Sequence, residues 1–184
     1  CWGVVEDGAR LLSSVMTGKG TELPLNGRGR RVALVVARFH DEIADRLVAG
    51  ARAALQAAGV LESDIDELSV AGAFELAPAI RQVLGQEPEP DVIVVLGAVI
   101  RGETPHFDFV ARAAVDAVQR LAVEVNVPIG LGLLTTDTPE QATRRADPDG
   151  MDKGGEAVRA ALAQAALYDR LRATRAAVRG FQVS

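Results

Sequence analysis

Short apolar runs and longer amphipathic stretches alternate along this chain from Arg31 onward. The runs Val32–Ala37 and Val92–Ile100 are continuous and rich in β-branched residues, which is typical of strands buried on both faces. The segments between the runs repeat apolar residues every three or four positions, which predicts helices with one buried face. This alternation predicts an α/β fold with a parallel sheet covered by helices on both faces.

The pattern resolves into alternating strands and helices joined by short, right-handed connections. The predicted strands are Val32–Ala37, Ile65–Val70, Val92–Ile100 and Ile129–Leu134. The predicted helices are Glu42–Ala58, Leu76–Leu84, Pro105–Asn126, Pro139–Arg145 and Lys153–Arg179. We therefore expect a single-domain, three-layer α/β/α fold over residues 28–184, with a flavodoxin-like, four-stranded parallel sheet.

Each predicted strand runs into a turn that carries aromatic or polar residues. The turns are Arg38–Asp41, Gly72–Glu75, Gly102–His106 and Thr135–Thr138. Four of the five phenylalanines lie in or beside these turns: Phe39, Phe74, Phe107 and Phe109. Because the carboxyl ends of parallel strands share one edge of a sheet, we expect these turns to converge there, where open α/β sheets bind ligands.

The turn after the third strand has the features of an anion site. Thr104 suits the N-cap of the following helix, Pro105 its first position and Asp108 its first turn. Backbone N–H groups at a helix start are unpaired and attract anions. His106, one of two histidines in the chain, lies in the same turn, and histidine is the side chain best suited to proton transfer under physiological conditions. The turn therefore predicts an anion site beside a proton-transfer group, although a helix-start histidine alone is as often structural.

Taken singly, the other candidates have ordinary explanations as well. Phe39 offers a flat face for stacking an aromatic heterocycle, or it is a core residue. Glu75 accepts hydrogen bonds from ligand hydroxyls, or it is a solvated carboxylate at a helix start. Arg145 and Lys153 hold a phosphate, or they are isolated surface cations. Their common placement in or just after strand-end turns favours the functional interpretation.

Composition narrows the class of protein. The 184 residues can bury a core without disulfides or a structural metal. The net charge of −5 argues against nucleic acid or an anionic membrane as the main partner. Cys1 is the one cysteine, which allows neither a disulfide framework nor a thiolate metal cluster. No apolar segment reaches the roughly 18 residues that span a bilayer, and we find no signal-peptide pattern, so we expect a cytoplasmic protein.

Residues 1–27 differ from the rest of the chain. Leu11–Met16 is mildly helical, but Gly18 and Gly20 interrupt the pattern, and no candidate catalytic residue is present. We interpret this segment as an N-terminal extension of unknown role. Three interpretations stay open for it: an appended segment, an arm that docks on a neighbouring subunit, and a further strand of the sheet.

The strand-end turns together match the motifs of one enzyme family. The longest match, Leu96–Phe107, contains the highly specific octet Ile-Arg-Gly-Glu-Thr-Pro-His-Phe. Shorter and individually weaker matches are Ala37–Phe39, Gly72–Glu75, Leu134–Ala142 and Asp152–Gly154. From Arg31 to Leu167 the chain resembles the 6,7-dimethyl-8-ribityllumazine synthases, the penultimate enzymes of riboflavin biosynthesis.

The resemblance implies a transferase that acts without metal or organic cofactor. Members of the family condense 5-amino-6-(D-ribitylamino)uracil with 3,4-dihydroxy-2-butanone 4-phosphate and release phosphate and water. The ring amine forms an imine with the ketone, phosphate is eliminated, and the ribitylamino nitrogen closes the second ring.

The resemblance also assigns residues to the pyrimidine and its ribityl chain. Phe39 is expected to stack on the pyrimidine, and Glu75 to accept hydrogen bonds from ribityl hydroxyls. Backbone groups of the third strand are expected to bind the pyrimidine edge, and Leu131 to contribute to the pyrimidine pocket of a neighbouring subunit. The implied set is Phe39, Ala73, Phe74, Glu75, Ala98, Val99, Ile100 and Leu131.

A second implied set serves the phosphate and the chemistry. Glu103 and Thr104 are expected to cradle the butanone phosphate through helix-start amides. Arg145 supplies the counter-charge, with Lys153 nearby. His106 is the implied proton donor and acceptor, a role typically worth 10²–10⁴ in rate. The chemistry expected from the residues alone agrees with this: a flat ring on an aromatic face, and an anion at a helix start beside an imidazole.

Family sites lie between adjacent subunits of a homo-pentamer, and some members assemble twelve pentamers into a 60-subunit icosahedral shell. The short loop between Ala146 and Lys153 favours a shell here, and riboflavin synthase is an implied partner. Two other functions fit the residues: a cage subunit with little or no catalysis, and a flavodoxin-like module that binds a flavin or lumazine without turnover.

The chain departs from the family pattern at a few positions. Ala71 stands where a proline is common, and Pro78 comes one position later than usual. We expect the helix start to survive, because Pro78 remains in its first turn. Leu131 occupies a position that is often aromatic, and leucine packs but cannot stack, so weaker pyrimidine binding is expected.

Overall fold

The computed structural model describes residues 25–180, with side chains through residue 176. The Leu11–Met16 segment and the further strand considered for the N-terminal extension lie outside the described residues.

A four-stranded sheet forms the centre of the described fold. Its strands are β1 (Val32–Ala37), β2 (Ile65–Val70), β3 (Val92–Ile100) and β4 (Ile129–Thr136). All pairs are parallel, in the order β2-β1-β3-β4. Val32 pairs with Ile65 on one side and with Val92 on the other, so the strands begin almost in register. The predicted parallel α/β sheet is confirmed.

Helices connect and cover the strands. They are α1 (Asp41–Ala57), α2 (Leu76–Val83), α3 (His106–Glu124), α4 (Pro139–Ala146) and α5 (Lys153–Gly180), with short 3₁₀ turns at Glu62–Asp64 and Ala73–Glu75. Each predicted helix is present, and most bounds differ by one or two residues. Pro78 lies in the first turn of α2, as expected.

The start of α3 differs from the prediction. Thr104 does not cap the helix; Pro105 occupies the N-cap position without a side-chain hydrogen bond, and α3 begins at His106. The Pro105 carbonyl accepts a hydrogen bond from the Asp108 N–H (3.0 Å), and this backbone contact closes the first turn in place of a threonine cap. β4 is also longer than predicted, because Thr135 and Thr136 continue the pairing with Val99 and Ile100.

The two faces of the sheet carry separate apolar cores. Val32, Leu34 and Val36 of β1 point towards the layer of α1, α4 and α5. Ala33 and Val35 point towards the layer of α2 and α3. Because strand side chains alternate between faces, a strand covered on both sides must be apolar throughout, which explains the continuous runs in the sequence.

The strand order places a topological switch point between β1 and β3. From β1 the chain crosses by α1 to β2, whereas from β3 it crosses by α3 to β4 on the opposite side. The connections after β1 and β3 therefore diverge to opposite faces and leave a crevice at the carboxyl ends of these two strands. Open α/β sheets bind ligands at such a crevice.

α5 lies unusually close to its neighbours through glycines. A Cβ atom at Gly154, in the first turn of α5, would lie 2.8 Å from the carbonyl carbon of Leu47 in α1. A Cβ atom at Gly130 of β4 would lie 3.0 Å from the carbonyl carbon of Ala157. Both obstacles are backbone groups that cannot rotate away, so these contacts fix the position of α5.

We expect Gly154→Ala to destabilise the fold, because the added methyl group forces apart the backbones of α1 and α5. Overpacking of this kind costs about 1–3 kcal/mol. Urea unfolding at one fixed protein concentration measures the change. Gly85→Ala is the matched control, since its Cβ would meet only an ordinary contact at 3.6 Å. Equal stability of the two variants would contradict the close-contact argument.

His40 precedes α1 and is partly buried there. Its carbonyl oxygen accepts hydrogen bonds from the N–H groups of Ile43 (3.1 Å) and Ala44 (2.9 Å). Burial removes water from the imidazole and lowers the pKa of His40 below its ordinary value. The folded state therefore favours the neutral ring.

This lowered pKa predicts a loss of stability on mild acidification. As the pH falls through the pKa of the unfolded state, near 6.5, the unfolded chain takes up a proton that folded His40 resists. The stabilisation from neutral, folded His40 is therefore fully present above this pH and is lost progressively below it. The loss stops once folded His40 is also protonated. Urea unfolding between about pH 8 and pH 5 should show a shallower decline for His40→Gln than for the parent chain. His106→Gln, which leaves His40 in place, should retain the parent's decline, and parallel profiles for all three proteins would refute the assignment.

Candidate active site

The candidate site lies at the carboxyl edge of the sheet. The backbone hydrogen bonds of the sheet continue one residue past two strands: Arg38 donates to the Val70 carbonyl, and Arg101 donates to the Thr136 carbonyl (both 2.9 Å). Since β1 and β3 are neighbours in the sheet, the turns that follow them leave it on the two sides of the switch point. Phe39 belongs to the first turn.

Phe39 is exposed over 77% of its surface. The interpretation of Phe39 as a core residue is therefore wrong for this chain. Its ring meets the His40 ring edge-to-face, with centroids 5.0 Å apart and an interplanar angle of 82°. Arg38 is directed elsewhere, to Asp45 of α1 and to Glu67 of β2 (2.6 Å for the latter). These ion pairs hold the backbone that presents the free face of Phe39.

The turn after β2 presents a second aromatic side chain. Ala73, Phe74 and Glu75 form a 3₁₀ turn that packs against α3 and β3. Ala73 is buried, whereas Phe74 is 65% exposed and the Glu75 carboxylate is exposed. Phe74 lines an apolar groove of about 400 Å³ between α2 and α3, together with Ala77, Pro78, Ala113, Ala114, Ala117, Arg120 and Leu121.

The end of β3 and the loop after it form the centre of the candidate site. Ala98 is buried, and Val99 and Ile100 are half-buried, so their backbone groups border the edge of the sheet. The loop residues Glu103 and Thr104 are exposed. His106 is also exposed, at the first position of α3.

The turn after β4 is fixed by its own polar groups. The Thr138 hydroxyl accepts a hydrogen bond from the Gln141 N–H (3.3 Å), and the Gln141 side chain accepts one from the Asp137 N–H (3.1 Å). The Glu140 carboxylate accepts hydrogen bonds from the Thr138 side chain and from the backbone N–H of Glu140, and these bonds lower the pKa of Glu140. The reciprocal caps determine where α4 begins and so where Arg145, in its last turn, is held.

Two cations flank the connection from α4 to α5. Arg145 is half-buried and lies 3.6 Å from the Met151 sulfur. Asp152 has a positive φ of 46° and caps α5 by accepting a hydrogen bond from the Gly155 N–H (3.0 Å). The next residue, Lys153, is the first of α5 and pairs with Glu156. Both cations follow the carboxyl end of β4, the side on which phosphate binding is expected.

Leu131 lies apart from the other candidates. It pairs with Val95 in the middle of the sheet and not at a strand end. It points from the edge strand towards the layer of α2 and α3, and it remains 46% exposed. Within one chain the structure does not bring Leu131 to the strand-end turns.

Arg101 is a residue whose role the sequence did not reveal. Its guanidinium bonds Asp108 and Asp137, and it lies over the ring of Phe107. A cavity of about 620 Å³ beside it is lined by Arg101, Phe107, Asp108, Ala111, Arg112, Val115, Asp116, Thr135 and Asp137. The sequence shows a strand-end arginine with Asp108 in the following helix and Asp137 after the next strand. Only the fold shows that these two carboxylates are its partners.

Among the described residues, no group of three or more His, Cys, Asp and Glu side chains is placed to ligate a metal ion. None of the described helices has a stretch that is both long enough and apolar enough to cross a membrane.

The arrangement can bind a flat ring and an anion and can move a proton. Exposed aromatic faces follow β1 and β2, helix-start amides and an imidazole follow β3, and two cations follow β4. The aromatic side chains and the imidazole follow strands whose carboxyl ends share one edge of the sheet, because all four strands run parallel. Arg145 and Lys153 come later, in the last turn of α4 and at the start of α5.

Comparison with known proteins agrees with the resemblance seen in the motifs. The family model for 6,7-dimethyl-8-ribityllumazine synthase matches residues 29–169. A 6,7-dimethyl-8-ribityllumazine synthase from Kineococcus radiotolerans is 49% identical over 150 residues, covering 80% of this chain and 91% of the relative. Proteins of the same name from Streptomyces avermitilis and Gemmatimonas aurantiaca are 46% and 45% identical over 155 and 144 residues, covering 82% and 78% of this chain and 94% and 87% of theirs. The chain belongs to the 6,7-dimethyl-8-ribityllumazine synthase family.

Proposed function

We propose that this chain condenses 5-amino-6-(D-ribitylamino)uracil with 3,4-dihydroxy-2-butanone 4-phosphate to form 6,7-dimethyl-8-ribityllumazine, with release of phosphate and water. The observation that carries the proposal is the family match over residues 29–169, which includes every candidate from Phe39 to Lys153. The exposure of Phe39, Glu75 and His106, each in or next to a turn at one edge of the sheet, supports it.

The pyrimidine is proposed to stack on Phe39, whose exposed face suits a flat heterocycle. Backbone groups of Ala98, Val99 and Ile100 hydrogen-bond its edge. Ala73 and Phe74 hold the ring and the start of the ribityl chain, and Glu75 accepts hydrogen bonds from the ribityl hydroxyls. Phe39 follows β1, the neighbour of β3 in the sheet, which supports one shared pocket for the ring.

The phosphate is proposed to bind the loop before α3. The backbone amides of Glu103 and Thr104 lie at a helix start, where the dipole favours an anion. Arg145 neutralises the phosphate through its planar guanidinium, and Lys153 adds charge from the start of α5. Lys153 already pairs with Glu156, so it acts as a secondary contact.

His106 is proposed to move protons among the reacting groups. As imidazole it accepts a proton while the ring amine adds to the ketone, and as imidazolium it donates when water leaves to form the imine. Elimination of phosphate and closure of the second ring by the ribitylamino nitrogen also require proton transfers, which His106 can mediate in the same way. Holding the two reactants together supplies up to about 7–11 kcal/mol, more than the proton transfer does.

The site is proposed to be completed by a second subunit of a homo-pentamer. Phe39, Phe74 and Leu131 are apolar side chains that one chain leaves exposed, and such surface favours association. Leu131, remote from the other candidates of its own chain, then serves the pocket of the neighbour. Assembly into a 60-subunit shell, a partnership with riboflavin synthase and a cytoplasmic location belong to the same proposal, and analytical ultracentrifugation distinguishes pentamer from shell.

One assay tests the proposed reaction against the other functions. The protein is incubated with both substrates while lumazine absorbance and fluorescence are recorded. Catalytic turnover supports the enzyme. A large particle without turnover indicates a cage subunit, and stoichiometric ligand binding without turnover indicates a binding module; either result refutes the proposal.

We expect His106→Ala to slow the reaction by about 10²–10⁴ without abolishing it, because proximity survives the loss of the imidazole. Single-turnover rates at saturating substrate measure the effect. His40→Ala removes the other histidine of the chain and should leave the proton-transfer step intact. An unchanged single-turnover rate in His106→Ala would remove the role given to this residue.

We expect Leu131→Phe to tighten binding of the pyrimidine substrate, because an aromatic ring can stack where leucine only packs. Aromatic pairs contribute about 0.5–1.5 kcal/mol, which lowers the KM for the pyrimidine roughly two- to twelvefold. The KM for the butanone phosphate should not change. Leu171→Phe is the control, since Leu171 is 47% exposed on α5. Equal KM values for the two variants would place Leu131 outside the pocket.

A further inference from the structure

We propose that Arg101 is a positioning residue that holds the loop carrying Glu103, Thr104 and His106 in its reactive geometry. This inference rests on the proposed function, since it assigns a purpose to that loop. Arg101 does so by closing the loop on itself and by joining it to the turn after β4.

The guanidinium of Arg101 makes three directed hydrogen bonds. Its two terminal nitrogens donate to the two carboxylate oxygens of Asp108, at 3.2 and 3.1 Å. Its Nε donates to Asp137 at 2.8 Å. A forked contact of this kind fixes orientation as well as distance, which a single ammonium group cannot do.

The same guanidinium also lies on an aromatic ring. Its central carbon is 4.2 Å from the centroid of Phe107, the residue directly after His106. Phe107 and Asp108 are thus held from one side chain, and both belong to the first turn of α3. Any rotation of this turn would break the fork and the stacking together.

The enclosed loop has little else to hold it. Residues 101 to 106 are all exposed, and a Cβ atom at Gly102 would meet nothing within 4 Å. Within this described stretch, the backbone contacts outside regular elements are the Arg101 bond to Thr136 and the Pro105 bond from Asp108. The side chain of Arg101 therefore supplies the tertiary constraint that the loop's own packing lacks.

Asp137 extends the constraint to a second element. Its backbone N–H is bound by Gln141, which takes part in the cap of α4. Arg101 consequently links the loop before α3 to the start of the helix that carries Arg145. The two groups proposed to hold the phosphate are thereby kept in a fixed relation within the chain.

The contacts indicate positioning and not direct phosphate binding. Three of the five N–H donors of Arg101 are engaged by carboxylates. The two carboxylates raise the pKa of Arg101, so its charge is secure. Arg101 is 43% exposed and both carboxylates are more than half exposed, and exposed pairs contribute little to global stability. The benefit of the arrangement is therefore local geometry.

Arg101→Gln and Arg101→Lys test the proposal, with Arg112→Gln as the matched control. Arg112 lies on α3 beside the same cavity as Arg101, and its side chain is 85% exposed. Its ion pair is made with Asp116 of the same helix and not with the loop, so it controls for loss of a nearby positive charge. We expect both Arg101 variants to lower kcat about tenfold to a hundredfold, since small misplacements have effects of this size. The KM for the butanone phosphate should rise while the KM for the pyrimidine stays the same. Arg101→Lys should not restore activity, because a lysine ammonium group cannot make the forked contact with Asp108.

A purely structural role would give a different result. Equal increases in both KM values, accompanied by a large fall in unfolding stability, would overturn the proposal. So would kinetics of Arg101→Gln that match those of Arg112→Gln. Asp137→Asn should produce a smaller effect that is not additive with Arg101→Gln, as expected for two groups in one network.

A measurement without substrate separates this inference from the proposed function. Hydrogen–deuterium exchange should be faster in peptides spanning residues 102–107 of Arg101→Gln than in the parent or in Arg112→Gln. If the parent shows no turnover but the exchange difference is present, the proposed function fails and the loop constraint stands. If exchange is unchanged, the constraint is refuted whatever the activity.

Discussion

β1 and β3 pair in parallel, so the carboxyl ends of the two strands that precede Phe39 and His106 point the same way and lie next to each other in the sheet. From that edge the chain departs in opposite directions, so the turn bearing Phe39 and the loop bearing His106 border one crevice. Two further turns flank this pair: the turn of Phe74 beyond β1, and the turn of Asp137 beyond β3. A sheet with antiparallel strands would have sent half of these groups to the other end of the molecule.

Much of this arrangement was predictable because it follows from local rules. Continuous β-branched runs identify β1 and β3, and parallel topology then brings their ends to one edge without knowledge of any contact. The highly specific octet that contains His106 then indicated the enzyme family. The exposure of Phe39 was not predictable, since an aromatic residue after a buried strand fits a core equally well until the packing around it is known.

Other features needed the tertiary structure. The Nε hydrogen bond from Arg101 to Asp137 joins residues 36 positions apart, and no sequence pattern indicates which of many arginines and carboxylates will meet. Thr104 looked like a helix cap, but the Pro105 carbonyl closed the turn instead, because backbone geometry at the proline competes with the side chain. Leu131 lies within the predicted strand, but its pairing with Val95 and its partial exposure depend on the register of β4 with β3.

The glycine contacts of α5 bear on how additions to this chain would act. Gly154 and Gly130 hold the first turns of the helix against α1 and β4, and Asp152 fixes its starting point. The helix then continues to Gly180, about 40 Å further along its axis and eleven residues past the end of the family match at residue 169. The helix stays packed on the domain well beyond its first turns, because Ala165 is buried and Arg172 donates a hydrogen bond to the Asn126 carbonyl. Cargo, tags or fused domains joined at Gly180 would therefore be carried on about two helical turns beyond Arg172, and little of their motion would reach Lys153 at the clamped start of the helix.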